Sequence, residues 1–181
     1  MEERVSKFLT KGLWVAIALF ILLFLILKPT SAYDYFGVAG EAIGIAVIIM
    51  GIYNAILWRY NPLEKAPRLM GQYNGHIEYN FTGALESKPV NVIIKQTALT
   101  VTVKIVTDEI TSNTITSNLV EENDEFVLYY TYITNPRSRY SGENPIQHGT
   151  CRLTESGESK LQGTYWTSRK TIGDIELEKQ H

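Results

Sequence analysis

Two long apolar stretches near the start of the chain constrain its fold more than any other feature. Residues 12–27 carry no charged side chain and are bounded by Lys11 and Lys28. Residues 36–58 carry a single charge, that of Glu41. A helix needs about 20 predominantly apolar residues to cross a bilayer. The pattern therefore predicts two transmembrane helices, with spans at about residues 12–28 and 36–58, in an N-terminal region 1–60.

A signal peptide is the alternative for the first stretch, because Arg4, Lys7 and Lys11 precede its apolar core. The "LKPTSAYDYF" that follows offers only a poor small-residue cleavage site, and a second apolar stretch comes at once. We therefore favour a hairpin of two helices that anchors the chain in a lipid bilayer.

The basic residues around the spans predict the orientation of this hairpin. They lie before the first span, at Arg4, Lys7 and Lys11, and after the second, at Arg59, Lys65 and Arg68. The connecting loop has only Lys28 against Asp34. Cytoplasmic flanks are enriched in Lys and Arg, so both termini and the domain after Arg59 are expected in the cytoplasm. The single cysteine, Cys151, agrees with a reducing compartment.

Small residues and one carboxylate mark the second span. Gly40 and Gly44 have the spacing that lets two helices approach closely, either within the hairpin or between copies of the chain. Glu41 lies about one turn inside the expected membrane boundary. A carboxylate inside a membrane is a functional candidate, although a position this near the interface also lets it reach water.

The chain changes character after a linker at residues 61–68, which contains Pro62 and Pro67. Beyond it, "LTVTVKIV" from Leu99 alternates apolar and polar residues, and "EFVLYYTYIT" from Glu125 is rich in β-branched and aromatic residues. Both patterns are typical of strands with one buried face. They predict about eight short strands, at residues 71–81, 90–97, 99–106, 111–121, 125–134, 147–154, 160–169 and 172–178.

Such a series of strands should close on itself, because an open sheet leaves its edges unpaired. An antiparallel up-and-down barrel is the most economical closure. The sequence thus predicts a membrane-anchored all-β protein, in which residues 69–181 form a barrel of about eight strands. A barrel of this size holds packed side chains or one small ligand.

The segment "LQGTYWTSRKTIGDIEL", at residues 161–177, indicates what fills the barrel. The face that holds Leu161 and Leu177 also holds Gly163, Tyr165, Thr167, Arg169, Thr171, Gly173 and Ile175. If this face points inward, glycines replace the branched aliphatics of a packed core, and the arginine needs an anionic partner. The pattern favours a flat, anionic ligand. The alternative is that Arg169 pairs with Glu178 or Glu155, or faces water.

The charge of the β domain limits the class of ligand. After Leu69 there are ten Lys and Arg against fourteen Asp and Glu, a net charge of about −4. A protein that binds a long nucleic acid carries a basic stripe, so no such partner is expected. One or two phosphates need only a few donors, which Arg152, Arg169 and the loop residues Arg137 and Arg139 supply.

The tyrosines of the domain and Trp166 are the candidates for stacking on a nucleobase. The tyrosines of the domain are Tyr73, Tyr79, Tyr129, Tyr130, Tyr132, Tyr140 and Tyr165. Cross-strand aromatic pairing is the commoner role for most residues of this kind.

The sequence carries no motif for catalysis, metal binding or cofactor binding. His76, His148 and His181 lack metal-ligand spacing, and no glycine-rich phosphate loop leads into a helix. We therefore expect no catalytic residue, no metal and no cofactor. A hydrolase built from scattered Tyr, Glu and His is the less favoured alternative.

Taken along its whole length, the chain resembles a bacterial family. Two N-terminal transmembrane helices, a short linker, "MGQYNGHIEYNF" and the closing "LQGTYWTSRKTIGDIEL" are similar to the two-transmembrane, β-strand-rich effectors associated with cGAS-like nucleotidyltransferases in antiphage (CBASS) defence. In that family the barrel is a cytosolic receptor for a cyclic dinucleotide made during phage infection. Ligand binding drives the anchored subunits to oligomerise and breach the inner membrane.

The resemblance implies an effector of the bacterial inner membrane, which binds a cyclic dinucleotide and then associates with other copies of itself in the bilayer. The closing strands imply Tyr165, Trp166, Arg169 and Thr171 as ligand contacts, with wall glycines making space for the ligand. Face alternation or residue type adds Tyr73, Tyr130, Tyr132 and Arg152. The candidates for helix assembly are Gly40, Glu41 and Gly44. A membrane-tethered structural or partner-binding barrel, and an anchored carrier of a small apolar ligand, remain alternatives.

Overall fold

The computed structural model describes residues 2–80, 85–142, 144–157 and 159–180. Its contacts divide the chain into two compact units. One comprises residues 1–65 and 97–99, and the other residues 66–96 and 100–181. The first contains the helices and the second contains the strands.

Two helices form the N-terminal hairpin. Helix α1 spans Glu2–Leu27 and helix α2 spans Ala32–Ala55, and both are long and apolar enough to cross a membrane. Ser31 begins α2 with a capping box: its hydroxyl accepts from the Asp34 amide at 3.2 Å, and the Asp34 carboxylate accepts from the Ser31 amide at 3.0 Å. This reciprocal cap satisfies two amides that the first turn of a helix leaves free, so the chain reverses within a few residues.

Helix α2 has two different faces. Val38, Ala42, Ala46 and Met50 are buried, and they form one stripe because they are four residues apart. This stripe packs on α1, where the Cα of Gly12 lies opposite Met50. A side chain placed at Gly37, Gly40, Gly44 or Gly51 would meet no other atom within 4 Å. The glycines therefore point away from the hairpin partner, and packing within the hairpin does not explain them.

Eight antiparallel strands make a closed barrel in which each strand pairs with its neighbours along the chain and β8 pairs with β1. The strands are β1 Gly71–Asn80, β2 Leu85–Gln96, β3 Val101–Val106, β4 Ile110–Glu122, β5 Glu125–Pro136, β6 His148–Glu155, β7 Lys160–Thr167 and β8 Ile172–Lys179. The predicted fold class, two helices followed by an up-and-down barrel, is confirmed.

Strand β2 begins five residues before its predicted start at residue 90, and Pro89 lies inside it. Proline lacks the amide that a central strand needs. Pro89 pairs with His76 of β1, but the pairing of β2 with β3 begins only at Asn91. The missing amide therefore falls where β2 has a single neighbour, and the strand tolerates it.

One end of the barrel is packed with aliphatic side chains. The buried residues there include Leu69, Val92, Val103, Leu153 and Leu177. Segment 67–69 covers this end, since Gln96 accepts from the Leu69 amide at 2.7 Å and donates to the Pro67 carbonyl at 2.8 Å. The chain thus enters the barrel at its closed end.

Candidate ligand-binding site

A cavity of about 330 Å³ occupies the opposite end of the barrel, where β1, β3, β5 and β7 end. Its wall combines tyrosines, threonines and charged residues with a few aliphatic side chains. This volume lies at the lower end of the range for small-molecule sites. The interior is therefore only partly filled by the protein's own side chains.

Four tyrosines give the cavity an aromatic wall: Tyr79 on β1, Tyr130 and Tyr132 on β5, and Tyr165 on β7. The ring centroids of Tyr130 and Tyr132 are 5.9 Å apart, with the planes tilted by 45°. Burial raises the pKa of all four hydroxyls above the usual 10. They are therefore neutral at physiological pH and present both a ring face and a hydrogen-bonding group.

Two glycines in the wall face these rings. Gly149 pairs with Tyr132 and Gly173 with Tyr165 across neighbouring strands. A Cβ at Gly149 would lie 2.2 Å from the Tyr132 ring, and one at Gly173 would lie 2.2 Å from the Glu78 carbonyl oxygen of β1 and 2.7 Å from the Tyr165 hydroxyl. A Cβ at Gly163 would instead meet the backbone of β6. The glycines therefore make room for tyrosine rings and for close strands, and only through those rings do they shape a ligand site.

The charged residues of the cavity wall are Glu86, Lys88, Glu109 and Arg169. Lys88 Nζ lies 2.9 and 3.0 Å from the two carboxylate oxygens of Glu109, and Asn144 donates to the same carboxylate at 3.0 Å. The hydrogen bond from Lys88 lowers the pKa of Glu109, and the same bond raises the pKa of Lys88. A lysine and a carboxylate thus neutralise each other beside the cavity.

Five of the predicted ligand contacts meet in this cavity: Tyr130, Tyr132, Tyr165, Arg169 and Thr171. Arg169 is exposed in the turn between β7 and β8. Glu155 and Glu178, the partners considered for it, lie near the closed end of the barrel, where Glu178 is 3.6 Å from Lys160.

Three predicted contacts lie outside the cavity. Tyr73 points into the barrel, but at the closed end, where it is 3% exposed and donates to the Leu69 carbonyl at 2.8 Å. Arg152 is on the outer face, 3.2 Å from the Tyr129 hydroxyl and 3.8 Å from Glu122. Trp166 is also on the outer face and is 44% exposed. Strand alternation explains both, because Arg152 and Trp166 each follow an inward-facing residue.

Lys88, Glu109 and Ser112 are parts of the wall that were not predicted from the sequence, whereas Thr167 lies on the face of the closing strands that was considered to point inward. A signal for Lys88 exists in β2, whose inward face reads Glu86, Lys88, Val90, Val92, Ile94 and Gln96. A strand face that changes from charged to aliphatic indicates a barrel that is hollow at one end. The residues that the structure describes contain no cluster of His, Cys, Asp and Glu able to hold a metal.

Comparison with known proteins identifies the family of the chain. Residues 64–179, which include the whole barrel, match the family model described as Cap15, cyclic dinucleotide receptor domain. The chain is 35% identical over 182 residues to CD-NTase-associated protein 15 of Staphylococcus schleiferi, and the alignment covers 99% of each protein. The resemblance seen in the two ends of the β domain is thereby confirmed, and the chain belongs to the Cap15 family of cyclic dinucleotide receptor domains.

Proposed function

We propose that this chain is an antiphage effector of the bacterial inner membrane, whose barrel binds a cyclic dinucleotide in the cavity. The observation that carries the proposal is the wall itself, where four tyrosines converge with Arg169 and Lys88 in a domain of this family. The role is that of a receptor, with no catalytic step and no cofactor.

The wall supplies both kinds of contact that a cyclic dinucleotide needs. Stacking of a base on an aromatic ring is worth about 1–3 kcal/mol, and the tyrosine rings offer such faces. Arg169 provides a cation for the phosphates, and a guanidinium matches two phosphate oxygens at once, whereas Glu109 neutralises the charge of Lys88. The hydroxyl of Thr171 adds a neutral donor beside Arg169. With a net charge of about −4, the β domain is poorly suited to a long nucleic acid.

The membrane part supports a second step, in which ligand-bound copies of the chain assemble through their helices, disrupt the membrane and cause cell death. A two-helix hairpin is too small to enclose an aqueous path by itself. The face with Gly40 and Gly44 is uncovered in the hairpin, and small residues allow close helix contact in a bilayer. Glu41 is exposed on the same helix, and we assign it to this assembly surface.

We propose that both termini lie in the cytoplasm, where a cyclic dinucleotide is made. The basic residues outside the two spans support this orientation. A reporter enzyme fused to the C-terminus is expected to be active only when the reporter is of the cytoplasmic kind. Activity of a periplasmic reporter in that position would contradict the orientation and the proposed sensing of a cytosolic ligand.

The binding test uses the full-length chain in lipid nanodiscs and a panel of cyclic dinucleotides. At least one should bind and raise the melting temperature. Arg169→Ala is expected to weaken binding by roughly 1.5–3 kcal/mol, the value of a hydrogen bond to a charged group. Arg152→Ala is the matched control, because it removes the same charge from the outer face, and it should bind like the parent.

Failure of the whole panel would remove the cyclic dinucleotide from the proposal. Saturable binding of a fatty acid instead would favour the apolar carrier. Equal losses in the Arg169 and Arg152 variants would show a general effect of charge, and would contradict a phosphate contact at Arg169.

A further inference from the structure

Three hydroxyl groups in the cavity wall are buried without a hydrogen-bond partner among the described residues: Ser112 Oγ, Tyr130 Oη and Thr167 Oγ1. Ser112 is 4% exposed and Tyr130 is 2% exposed. The Cys151 thiol lies beside Tyr130, but a thiol is a weak partner. Buried hydroxyls are normally hydrogen-bonded, so a group of three in one cavity needs an explanation.

Other hydroxyls in the same wall are satisfied by the protein. Thr134 accepts from the Gln147 amide at 2.9 Å, Tyr79 donates to Glu86 at 2.9 Å, and Thr107 accepts from the Ile110 amide at 3.1 Å. The barrel thus completes the hydrogen bonds of those side chains. Ser112, Tyr130 and Thr167 are left without an oxygen or nitrogen partner among the described residues, and because their oxygens have almost no accessible surface, a small rotation of each side chain must accompany contact with an occupant.

The unpaired hydroxyls indicate the chemistry of that occupant. An acyl chain would leave all three hydroxyls without a hydrogen-bond partner, which is unfavourable for buried polar groups. The edge of a nucleobase carries donors and acceptors in one plane. Burial keeps the Tyr130 hydroxyl protonated, since it raises the pKa of that group, so each of the three hydroxyls both donates and accepts.

The size of the cavity indicates how much of a cyclic dinucleotide enters. A volume of about 330 Å³ corresponds to about eleven water molecules at roughly 30 Å³ each. A bonded non-hydrogen atom occupies less space than a water molecule, so this volume exceeds that of one purine base but is smaller than that of a complete cyclic dinucleotide. The phosphates then remain at the open end, near Arg169 and Thr171.

We propose that a single base of the cyclic dinucleotide enters the barrel, and that Ser112, Tyr130 and Thr167 read its edge and determine base preference. This assignment rests on the proposed binding of a cyclic dinucleotide. It makes the second base a minor contributor to selectivity, because that base lies outside the cavity.

The test measures affinity of the full-length chain in nanodiscs for cyclic di-AMP, cyclic di-GMP, cyclic di-UMP and the mixed dinucleotides. The parent should prefer one base. A mixed ligand that carries this base should bind within about twofold of the symmetric one, the difference expected from having one insertable base instead of two. Tyr130→Phe and Ser112→Ala should each weaken the preferred ligand by roughly 5- to 100-fold and reduce the preference.

Melting temperatures of the free protein separate ligand recognition from a structural role. Tyr130→Phe and Ser112→Ala remove hydroxyls that have no oxygen or nitrogen partner, so the melting temperature should stay the same or rise. Thr134→Val is the matched control: it removes the hydroxyl that accepts from the half-buried Gln147 amide, so this variant should melt lower than the parent.

The outcomes distinguish this inference from the proposed function. Binding of no cyclic dinucleotide by the parent would overturn both. Normal binding by the parent, with affinity and preference unchanged in Tyr130→Phe and Ser112→Ala, would overturn base reading alone. A clear loss of stability in these two variants, or a mixed ligand that binds as weakly as the disfavoured symmetric one, would also overturn it.

Discussion

At the scale of single residues, the cavity depends on small side chains placed opposite large ones. Tyr132 extends over Gly149, and Tyr165 over Gly173. A glycine opposite an aromatic residue lets the ring lie against the strand, which fixes the direction of the ring. Both members of each pair can be read in the sequence. Which residues face each other across two strands depends on the register of those strands, and the sequence of a single strand does not reveal it.

Glu109 is the residue that we expect to oppose ligand binding. Its carboxylate neutralises Lys88 and adds a negative charge to the cavity wall. Glu109→Gln should therefore raise the affinity for a cyclic dinucleotide by roughly 3- to 10-fold, because repulsion of the phosphates falls and Lys88 becomes available. Calorimetric titration measures this change. Glu122→Gln, which removes a carboxylate from the outer face beside Arg152, is the matched control and should leave affinity unchanged.

The stability that the pair of Glu109 and Lys88 adds to the parent, relative to Glu109→Gln, should depend on pH in a defined direction. The pKa of Glu109 is lowered from 4.5, so its contribution to stability is present above that pH and is lost as the pH falls through the lowered value. The pKa of Lys88 is raised from 10.5, so its contribution is lost as the pH rises through the raised value. Both side chains are about a third exposed, which limits the effect to about 1 kcal/mol or less.

Melting curves of the parent and of Glu109→Gln test this expectation. The parent should melt slightly higher across roughly pH 5 to 10, and the difference should disappear in more acidic solution. A difference that persists at pH 3 would show that the ion pair is not its cause. Lower affinity of Glu109→Gln for the ligand would show that Glu109 holds the site in its binding form.

At the scale of elements, strand positions were predictable because alternation is a local property. Strands β4, β5, β6, β7 and β8 lie within about two residues of their predicted ranges. The direction of a strand face is harder to predict, since it depends on which neighbours cover it. Trp166 is next to Tyr165 in sequence, yet the two point to opposite sides of the barrel wall.

Helix α2 shows the same limit. Its composition indicates a membrane span and a set of small residues, but it does not tell which face meets α1. In the structure, the face of α2 with Ala42 and Ala46 packs on α1, and the face with Gly40 and Gly44 does not. Bulk added at Gly44 therefore has no contact within the hairpin to disturb.

At the scale of the whole molecule, the inward faces of the strands explain why one end of the barrel is solid and the other hollow. Towards the closed end they carry Leu, Val and Ile, as at Val92, Val103 and Leu153. Towards the open end they carry Tyr, Thr and Ser, as at Tyr79 and Ser112. The packed end stabilises the barrel, and the polar end leaves space for a ligand. This division is visible in the sequence of the closing strands, where the glycines and Arg169 interrupt the aliphatic pattern, and in β2, whose inward face changes from charged to aliphatic.

The proposed ligand-driven membrane damage requires that the ligand bind assembled chains more tightly than dispersed ones. Tight binding alone changes nothing if both states bind equally well. To shift the assembly equilibrium from 1:99 to 99:1, the ligand needs a preference of about 10⁴-fold, or about 5.5 kcal/mol. When several copies each bind one ligand, this free energy is divided among them. Each copy then needs a smaller preference for the assembled state.

Gly44→Leu tests whether the uncovered glycine face of α2 forms the contact between copies. The substitution places a bulky side chain where the hairpin leaves open space, so each hairpin should still form. It should prevent close approach of a second helix and abolish ligand-triggered dye release from vesicles that contain the full-length chain, while binding of the cyclic dinucleotide persists. Ile45→Phe adds bulk to a different, exposed side of α2 and should release dye like the parent. Dye release at the parent's level from Gly44→Leu would exclude this face as the assembly contact, and loss of ligand binding would show that the helices and the barrel do not act as separate parts.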